Sequence, residues 1–363
     1  MKDRCWASIN LSHIASNVKA IKRMAKVDNL MIVVKADAYG HGAITVSKAV
    51  KGEACALCVA TCDEGVELAE AEIGKDILVL QPILEPDSIK RALAHGLILT
   101  VENCGTIERI SRVATTMGVV AKINVAVDSN MHRLGVEIGE SSTKVVECVT
   151  NTNGVKIYGI FSHLNTTLKG KKLDTCVQKQ RLMQWTQSLI RRGIDTGILH
   201  LSATDDALND SNNWGNAVRI GLGTYGYGER NSGELKPAMN LYAKVISVRK
   251  VSAGCTVGYD GAWVATKDST LATLAIGYAD GYPLTLSGKG VVYINGAFAP
   301  VVGRICMDTC IVDVSGVAHV EVGDEAQMWG DKVDLTQLAS MGDTSVYELL
   351  SGLGRRIEKI YVE

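Results

Sequence analysis

Phenylalanine and proline are scarce in this sequence of 363 residues, which contains two Phe and five Pro. Long apolar runs are missing as well, because no stretch approaches the roughly 18 residues that span a bilayer. The formal net charge is −1, so the chain lacks the basic excess expected of a nucleic-acid-binding protein. These absences argue against membrane contact by this chain and against a nucleic-acid partner.

A secretory signal is also missing. Residues 1–26 mix Lys, Arg, Asn and Ser with single apolar residues, and no continuous apolar segment follows the first charges. We therefore expect a cytoplasmic location, either as a separate protein or as the cytoplasmic domain of a longer membrane protein.

The ten cysteines do not form a recognisable metal-binding pattern. The closest approach is the trio Cys55, Cys58 and Cys62, and no second Cys or His pair follows at a suitable spacing. The sequence therefore favours reduced thiols and predicts no metal site.

The chain is long enough for two domains, and its 36 glycines suit a fold with many tight connections. A strand-like segment at residues 5–10 and a helical pattern at residues 11–26 open the chain. Eight short apolar runs then alternate with helical patterns, which predicts a (β/α)8 barrel over residues 11–233. The runs are Leu30–Val34, Cys55–Ala60, Ile77–Leu80, Leu97–Val101, Val119–Val127, Val155–Phe161, Gly197–Leu201 and Val218–Leu222.

This alternation stops near residues 233–237. The following runs are strand-like and are separated by Gly-rich turns: Leu241–Val251, Thr270–Ile276, Val291–Ile294 and Ile305–Val314. We predict that residues 234–363, together with residues 1–10, form a mainly-β domain.

Lys35 stands directly after the first barrel strand and before a Gly-rich loop. Catalytic groups of barrel enzymes lie at the carboxyl ends of the strands. Burial there would lower the lysine pKa and favour the neutral, nucleophilic amine. Position alone leaves open an ordinary lysine whose apolar stem extends past the end of a strand.

The residues around Lys35, VVKADAYGHGA, resemble the cofactor-lysine motif of alanine racemases, which are pyridoxal-phosphate enzymes built from a barrel and a β domain. Six further stretches resemble this family in the same order along the chain: Val127–Gly135, Gly159–His163, Arg219–Gly226, Val257–Tyr259, Ile276–Gly281 and Val302–Asp308. The resemblance covers nearly the whole sequence.

The resemblance implies a two-base racemase for a small amino acid. Lys35 would bind pyridoxal phosphate covalently and exchange the α-proton on one face of the substrate. Tyr259 of the partner subunit would be the base on the other face, which implies a homodimer with shared active sites. A free tyrosine has a pKa of about 10, so this role needs a nearby cation, for which Arg133 is the family's candidate. Arg133 and the backbone N–H of Met307 would bind the substrate carboxylate.

The resemblance also implies a set of cofactor contacts. Arg219 would face the pyridine nitrogen, and His163 would pack against the ring. The phosphate would lie on Tyr39, Thr204 and the backbone N–H groups of Gly221 and Leu222, while Tyr278 and Asp308 would shape the wall from the second subunit. The strand count gives independent support, because Thr204 and Gly221 lie at or just past the ends of the last two barrel runs, where barrels often bind phosphate.

Four positions depart from the family pattern. Ala126 stands where many members have a carbamylated lysine, so the negative charge beside Arg133 must come from another group, such as a bound anion. Asn130 replaces a glycine, and Ala203 replaces an asparagine of the phosphate loop. Arg355 lies near the position of a tyrosine that limits the substrate pocket. A looser pocket would admit the extra hydroxyl of serine.

Several alternatives to an alanine racemase with serine activity stay open at this point. One is a serine-preferring racemase of the type found in vancomycin-resistance clusters. Others are an amino-acid decarboxylase of the same barrel class and a racemase for basic amino acids. From a different class, the chain could be a sensor that binds a cofactor or an amino acid without turning it over.

Overall fold

The computed structural model describes residues 4–165, 172–209, 215–228 and 233–363, so the first three residues of the predicted β domain lie outside it. The chain divides into two compact units. The barrel unit contains Ile14–Ala38 and Ala43–Lys236. The β unit contains Met1–His13, Tyr39–Gly42 and Pro237–Glu363. The short segment Tyr39–Gly42 therefore groups with the β unit, although it lies inside the predicted barrel range.

The chain opens with strand β1 of the β unit and helix α1, and it then enters the barrel. Within the described residues, eight parallel strands form the barrel, and pairing of β5 with β6 closes it. The order around the barrel is β5, β4, β3, β2, β10, β9, β8, β6, and a short strand β7 lies beside β6. The strands are β1 (Cys5–Asn10), β2 (Asn29–Val33), β3 (Ala54–Val59), β4 (Asp76–Val79), β5 (Ile98–Val101), β6 (Ala121–Asp128), β7 (Val136–Glu137), β8 (Val155–Phe161), β9 (Ile198–His200) and β10 (Ala217–Ile220). The predicted (β/α)8 barrel is confirmed.

Helices connect the barrel strands, and their apolar faces are buried. Helix α1 buries Ile14, Val18 and Ile21, which recur at the spacing of one helix face. The side chain of Asn103 accepts the Thr106 N–H and so starts α6. The helices are α1 (Leu11–Ala25), α2 (Lys35–Tyr39), α3 (Ala43–Val50), α4 (Cys62–Glu70), α5 (Pro86–Ala94), α6 (Cys104–Met117), α7 (Glu140–Asn151), α8 (Lys172–Arg191) and α9 (Thr204–Asn209).

The β unit is built on a sheet of eight strands in the order β14, β17, β16, β15, β18, β11, β1, β19, counted over the described residues. The central strand β11 is the longest and pairs with β1, β14 and β18. A separate two-stranded ribbon joins β12 and β13. The strands are β11 (Met239–Val251), β12 (Thr256–Val257), β13 (Trp263–Val264), β14 (Ser269–Leu274), β15 (Val291–Ile294), β16 (Ala297–Val302), β17 (Cys310–Asp313), β18 (Glu325–Trp329) and β19 (Glu358–Val362).

Two details of the predicted β domain are wrong. The apolar run from residue 305 to 314 is a strand only from Cys310 onward, because residues 305–309 form a turn closed by the Cys306 N–H and the Thr309 carbonyl. Two helices also occur where only strands and turns were expected: α10 (Leu335–Met341) and α11 (Val346–Ser351). The mainly-β character of the unit is confirmed.

Candidate active site

Lys35 begins α2, directly after β2, and its side chain is partly buried. Burial lowers the pKa of the Lys35 amine, and the positive charges of Arg133 and Arg219 lower it further. The carboxylate of Glu64 acts in the opposite direction without cancelling the shift. The net effect favours the neutral amine, which is the nucleophilic form of lysine.

The backbone after Lys35 makes a left-handed turn. Ala36, Asp37, Ala38 and Tyr39 have φ values of 51° to 54°, a region that non-glycine residues rarely adopt. Such strain persists only where neighbouring groups fix the backbone. Glu64 does so here, because its Oε1 accepts the Ala36 N–H at 2.7 Å and its Oε2 accepts the Ala60 N–H at 2.7 Å. Glu64 thereby ties together the segments that follow β2 and β3.

Arg219 lies on β10 and is buried, with its guanidinium facing two histidines. Its Nη1 donates to Nδ1 of His200 at 2.7 Å, and its Nη2 donates to Nδ1 of His163 at 3.2 Å. Nη2 also lies 3.1 Å from the carbonyl oxygen of Ser162. Because arginine can only donate, each imidazole accepts at Nδ1 and carries its proton on Nε2.

The electrostatics agree with two neutral imidazoles. Burial, followed by the charges of Arg219, Arg133 and Lys35, lowers the pKa of His163 to about 3. Burial and the charge of Arg219 also hold the pKa of His200 well below its usual value. Arg219 is therefore a buried cation flanked by two uncharged rings.

Backbone N–H groups after β10 converge on a hydroxyl after β9. Thr204 Oγ1 accepts the Gly221 and Gly223 N–H groups, each at 3.2 Å. A Cβ atom at Gly223 would lie 2.5 Å from Thr204 Cγ2, so only glycine allows this approach. Leu222 begins the 3-10 turn Leu222–Tyr225. We call Thr204, Gly221, Leu222 and Gly223 the hydroxyl cradle.

Arg133 is exposed on a closed loop that leaves β6 and returns beside it. Asp128 at the start of the loop accepts the N–H groups of Asn130, Met131 and His132 at 2.8–3.2 Å. Burial alone would raise the pKa of Asp128, but these hydrogen bonds outweigh it and lower the pKa. We call residues 128–135 the Arg133 loop.

The β unit presents three of the predicted site residues on its surface. Tyr259, Tyr278 and Met307 are 65%, 40% and 53% exposed. Two hydrogen bonds bring the last two together, since the Tyr278 N–H donates to the Cys306 carbonyl at 3.1 Å and the Ala279 N–H donates to the Met307 carbonyl at 3.0 Å. Tyr39 is buried, and its ring centroid lies 5.9 Å from that of Tyr347.

A fully buried carboxylate supports the segments that carry Tyr278 and Met307. Asp280 accepts the Gly277 N–H at 3.0 Å and pairs with Arg4 at 3.2 Å and Arg356 at 3.0 Å. Arg356 continues to Asp308 at 2.8 Å. This ion-pair network joins the first and last strands of the β unit to its exposed site residues.

Family models and curated relatives match almost the whole chain. The model "Alanine racemase, N-terminal domain" matches residues 9–229, and "Alanine racemase, C-terminal domain" matches residues 238–361. The alanine racemase of Clostridium novyi is 36% identical and covers 99% of this chain and 95% of its own length. That of Desulforamulus reducens is 35% identical over 100% of both chains.

The chain belongs to the alanine racemase family.

Solved structures of this family share the fold. An alanine racemase of Clostridium difficile 630 superimposes with a TM-score of 0.94 at 30% identity, covering 100% of this chain and 97% of its own. An alanine racemase of Bartonella henselae with covalently bound pyridoxal phosphate has a TM-score of 0.87 at 27% identity and covers 99% of each chain. The predicted family resemblance is confirmed.

Sequence reasoning missed His200, although Arg219 is bonded to it. An isolated histidine at the end of a short apolar strand carries no local signal of function. The pairing of β9 with β10 places His200 opposite Ala217, two residues before Arg219. His200 is identified only by its buried contact with Arg219 on the neighbouring strand.

The departures from the family pattern lie in different surroundings. Ala126 is buried on β6, Asn130 has a φ of 108°, and Arg355 is exposed near the end of the β unit.

Among the described residues, no cluster of three His, Cys, Asp or Glu side chains could hold a metal ion. Within the same residues, no helix combines the length and apolar character needed to cross a bilayer.

Proposed function

We propose that this chain is a pyridoxal-phosphate-dependent alanine racemase that also racemises serine and works as a homodimer. The proposal depends on one grouping in the barrel unit: the lowered-pKa amine of Lys35 and the buried cation of Arg219 with its neutral imidazoles. These groups follow or lie on β2, β8, β9 and β10, which are consecutive in the barrel order.

The residues of the barrel unit fit the cofactor. Lys35 would hold it covalently, and the donor-only guanidinium of Arg219 would face the pyridine nitrogen and keep it unprotonated. The hydroxyl cradle offers the Thr204 hydroxyl and the backbone N–H groups of Gly221 and Leu222 for the phosphate, and the neutral ring of His163 suits packing against an aromatic cofactor. Tyr39, which groups with the β unit, is the further donor that the family resemblance implies. When bound, pyridoxal phosphate supplies the electron sink that makes the α-hydrogen of an amino acid acidic.

Racemisation requires one proton acceptor on each face of the α-carbon. Lys35 Nζ removes or returns the proton on one face, and its lowered pKa makes the neutral, proton-accepting form easier to reach. Tyr259 Oη of the partner subunit serves the opposite face. The large exposed fraction of Tyr259 supports this assignment, because a surface tyrosine is available to a second chain.

We infer that Arg133 and the backbone N–H of Met307 bind the substrate carboxylate, while Tyr278 and Asp308 of the partner subunit shape the wall of the site. Arg133 is exposed and forms no hydrogen bond or ion pair with the described residues. The guanidinium is therefore available for a carboxylate, whose two oxygens match its planar fork.

Serine racemisation is a more specific part of the proposal than alanine racemisation. Arg355 is exposed and lies near the position at which a tyrosine would narrow the pocket. A pocket that accepts a methyl group rejects an added hydroxyl only weakly unless it is tight. A serine-preferring enzyme of the vancomycin-resistance type is the alternative substrate assignment. Arg355→Tyr should lower kcat/KM for serine relative to alanine by about tenfold.

The test incubates the cofactor-loaded protein with L-alanine and L-serine in deuterium oxide and follows D-enantiomers and α-deuterium. Inversion of both substrates supports the proposal. A serine rate more than about a thousandfold below the alanine rate would refute the serine activity, since a loose pocket discriminates less than that.

Variants assign the two bases. Tyr259→Phe should retain deuterium exchange into one enantiomer and lose inversion, while Lys35→Ala should lose both. Phe is a matched replacement because it removes only the hydroxyl. Release of carbon dioxide without inversion would point to the decarboxylase alternative, and cofactor binding without exchange would point to a sensor.

A further inference from the structure

The Arg133 loop is held at both ends, and the two ends use different carboxylates. Asp128 accepts three N–H groups at the beginning. At the other end, Glu102 Oε2 accepts the Gly135 N–H at 2.8 Å. Glu102 belongs to a different part of the barrel, directly after β5.

Gly135 lies against the strand from which the loop departs. It has a φ of 106°, and a Cβ atom there would lie 2.6 Å from the Val127 carbonyl carbon and 2.7 Å from the Asp128 nitrogen. The next residue, Val136, pairs with Val127. The two ends of the Arg133 loop therefore lie side by side. The N–H of its last residue, Gly135, has its acceptor on Glu102, directly after the neighbouring strand β5.

Glu102 also lies level with Ala126 in the sheet. Val101 pairs with Val125, so the residue that follows each of them occupies the same level of β5 and β6. Ala126 carries no charge, and Arg133 has no ion-pair partner among the described residues. Glu102 is thus an anionic group bonded to the backbone of this loop from an adjacent strand.

We propose that Glu102 is a positioning residue for substrate binding, acting through Gly135 to hold Arg133 in place for the substrate carboxylate. This inference rests on the proposed function. The essential property of Glu102 is its side-chain length, which brings an acceptor oxygen to the Gly135 N–H. We call this property the reach of the side chain, and the hydrogen bond to Gly135 is the contact that fixes the loop end.

Three variants separate reach from charge. Glu102→Gln keeps an acceptor oxygen at the same reach and loses the charge, whereas Glu102→Asp keeps the charge and shortens the side chain by one methylene. Glu102→Ala removes both. Glu108→Gln is the matched control, because Glu108 is exposed on α6, six residues away.

The measurement is the steady-state kinetics of alanine racemisation by the holoenzyme in both directions, together with competitive inhibition by propionate. Propionate has the substrate carboxylate and lacks the amino group, so its inhibition constant reports carboxylate binding without chemistry. We expect Glu102→Ala and Glu102→Asp to raise KM and the propionate inhibition constant by about tenfold, with kcat changed less than threefold. Glu102→Gln and Glu108→Gln should stay within about threefold of the wild type.

The inference is overturned if Glu102→Asp and Glu102→Ala leave both constants unchanged, or if they lower kcat alone. It is also overturned if Glu102→Gln is as impaired as Glu102→Asp, because charge would then outweigh reach. If Glu102→Ala does not fold, the Gln and Asp pair decides. A wild-type protein that does not racemise alanine would instead refute the proposed function, so the two failures are distinguishable.

Discussion

Arg219 and His200 are joined by a hydrogen bond of 2.7 Å in which the guanidinium donates to Nδ1 of the ring. The bond requires a neutral imidazole, because a protonated ring has no acceptor. His163 faces the same cation at 3.2 Å under the same requirement. Protonation of either ring would place a second positive charge against Arg219, so both histidines connect the site to the pH dependence of folding.

Folding stability should fall as the pH falls below about 6.5. Both histidines have folded-state pKa values below the unfolded value of about 6.5, so the unfolded chain binds protons first as the pH drops. Their effect is absent above pH 6.5 and grows below it, down to about 3 for His163. Each ring should contribute a loss of about 1.4 kcal/mol per pH unit once the pH is below 6.

Urea unfolding between pH 7.5 and 5, at fixed protein and cofactor concentration, measures this slope. Below pH 6, His200→Gln should reduce the slope by about 1.4 kcal/mol per pH unit. His319→Asn is the control, because His319 is exposed and asparagine tolerates its positive φ of 50°. Equal slopes for the wild type and His200→Gln would contradict the neutral state of His200.

Removal of the Arg219 charge should raise the pKa of His163. Burial is the first cause of the lowered pKa and Arg219 the second, so Arg219→Gln should move the pKa upward while leaving it below 6.5. Titration of the His163 ring protons by NMR measures the shift directly, and Arg304→Gln is the control for loss of an exposed arginine charge. A pKa of His163 that is unchanged in Arg219→Gln would show that the two side chains do not interact in solution.

The barrel was predictable because its strands are buried on both faces. In strand β2, for example, the last four residues are an uninterrupted apolar run, and all four are buried. Lys35 could be singled out for the same reason, since a lysine at the end of such a run is conspicuous. The expected cofactor contacts of Arg219 and His163, and the expected role of Tyr259 as a base, came from the family resemblance, because neither spacing nor composition distinguishes these residues.

The unpredicted features depend on contacts between distant segments. Many surface residues follow an apolar strand as Glu102 does, so its position carries no signal. Its carboxylate gains the Gly135 N–H as a partner only because the chain returns to this strand at Gly135. The run at residues 305–314 is apolar enough for a strand, yet its first half must turn, as the hydrogen bond from Cys306 to Thr309 shows. The N-cap residue Asp334 marks the beginning of helix α10, but the seven residues of the helix are too few to show a clear apolar periodicity.

Thr204 should control cofactor affinity through its hydroxyl. Thr204→Ala removes the acceptor shared by the Gly221 and Gly223 N–H groups and the donor that we propose for the phosphate, so we expect pyridoxal-phosphate binding to weaken by about ten- to a hundredfold. Thr204→Ser keeps the hydroxyl and should stay within about threefold. The dissociation constant is measured by titrating cofactor-depleted protein and following absorbance. Equal affinities for the Ala and Ser variants would exclude a role of the hydroxyl in holding the phosphate.

Asp280 should matter far more for stability than another Asp–Arg pair of the same unit. Its side chain is fully buried and bonds to the Gly277 N–H and to Arg4 and Arg356, whose side chains are 39% and 45% exposed. Asp280→Asn removes the charge from these hydrogen bonds and should lower the free energy of unfolding by about 2 kcal/mol. Asp260→Asn breaks the pair with Arg304, in which both side chains are more than half exposed, and should cost less than about 1 kcal/mol.

Chemical denaturation of both variants at one protein concentration gives the comparison. The same Asp280→Asn variant should also lose alanine turnover, because Asp280 holds the segment of Tyr278 through the Gly277 N–H, and Arg356 links it to Asp308 beside Met307. Two variants of equal stability would mean that the burial of Asp280 adds nothing to the contribution of its ion pairs. Full turnover in a destabilised Asp280→Asn variant would show that the ion-pair network serves stability alone, since Tyr278 and Met307 would then keep their positions without the network.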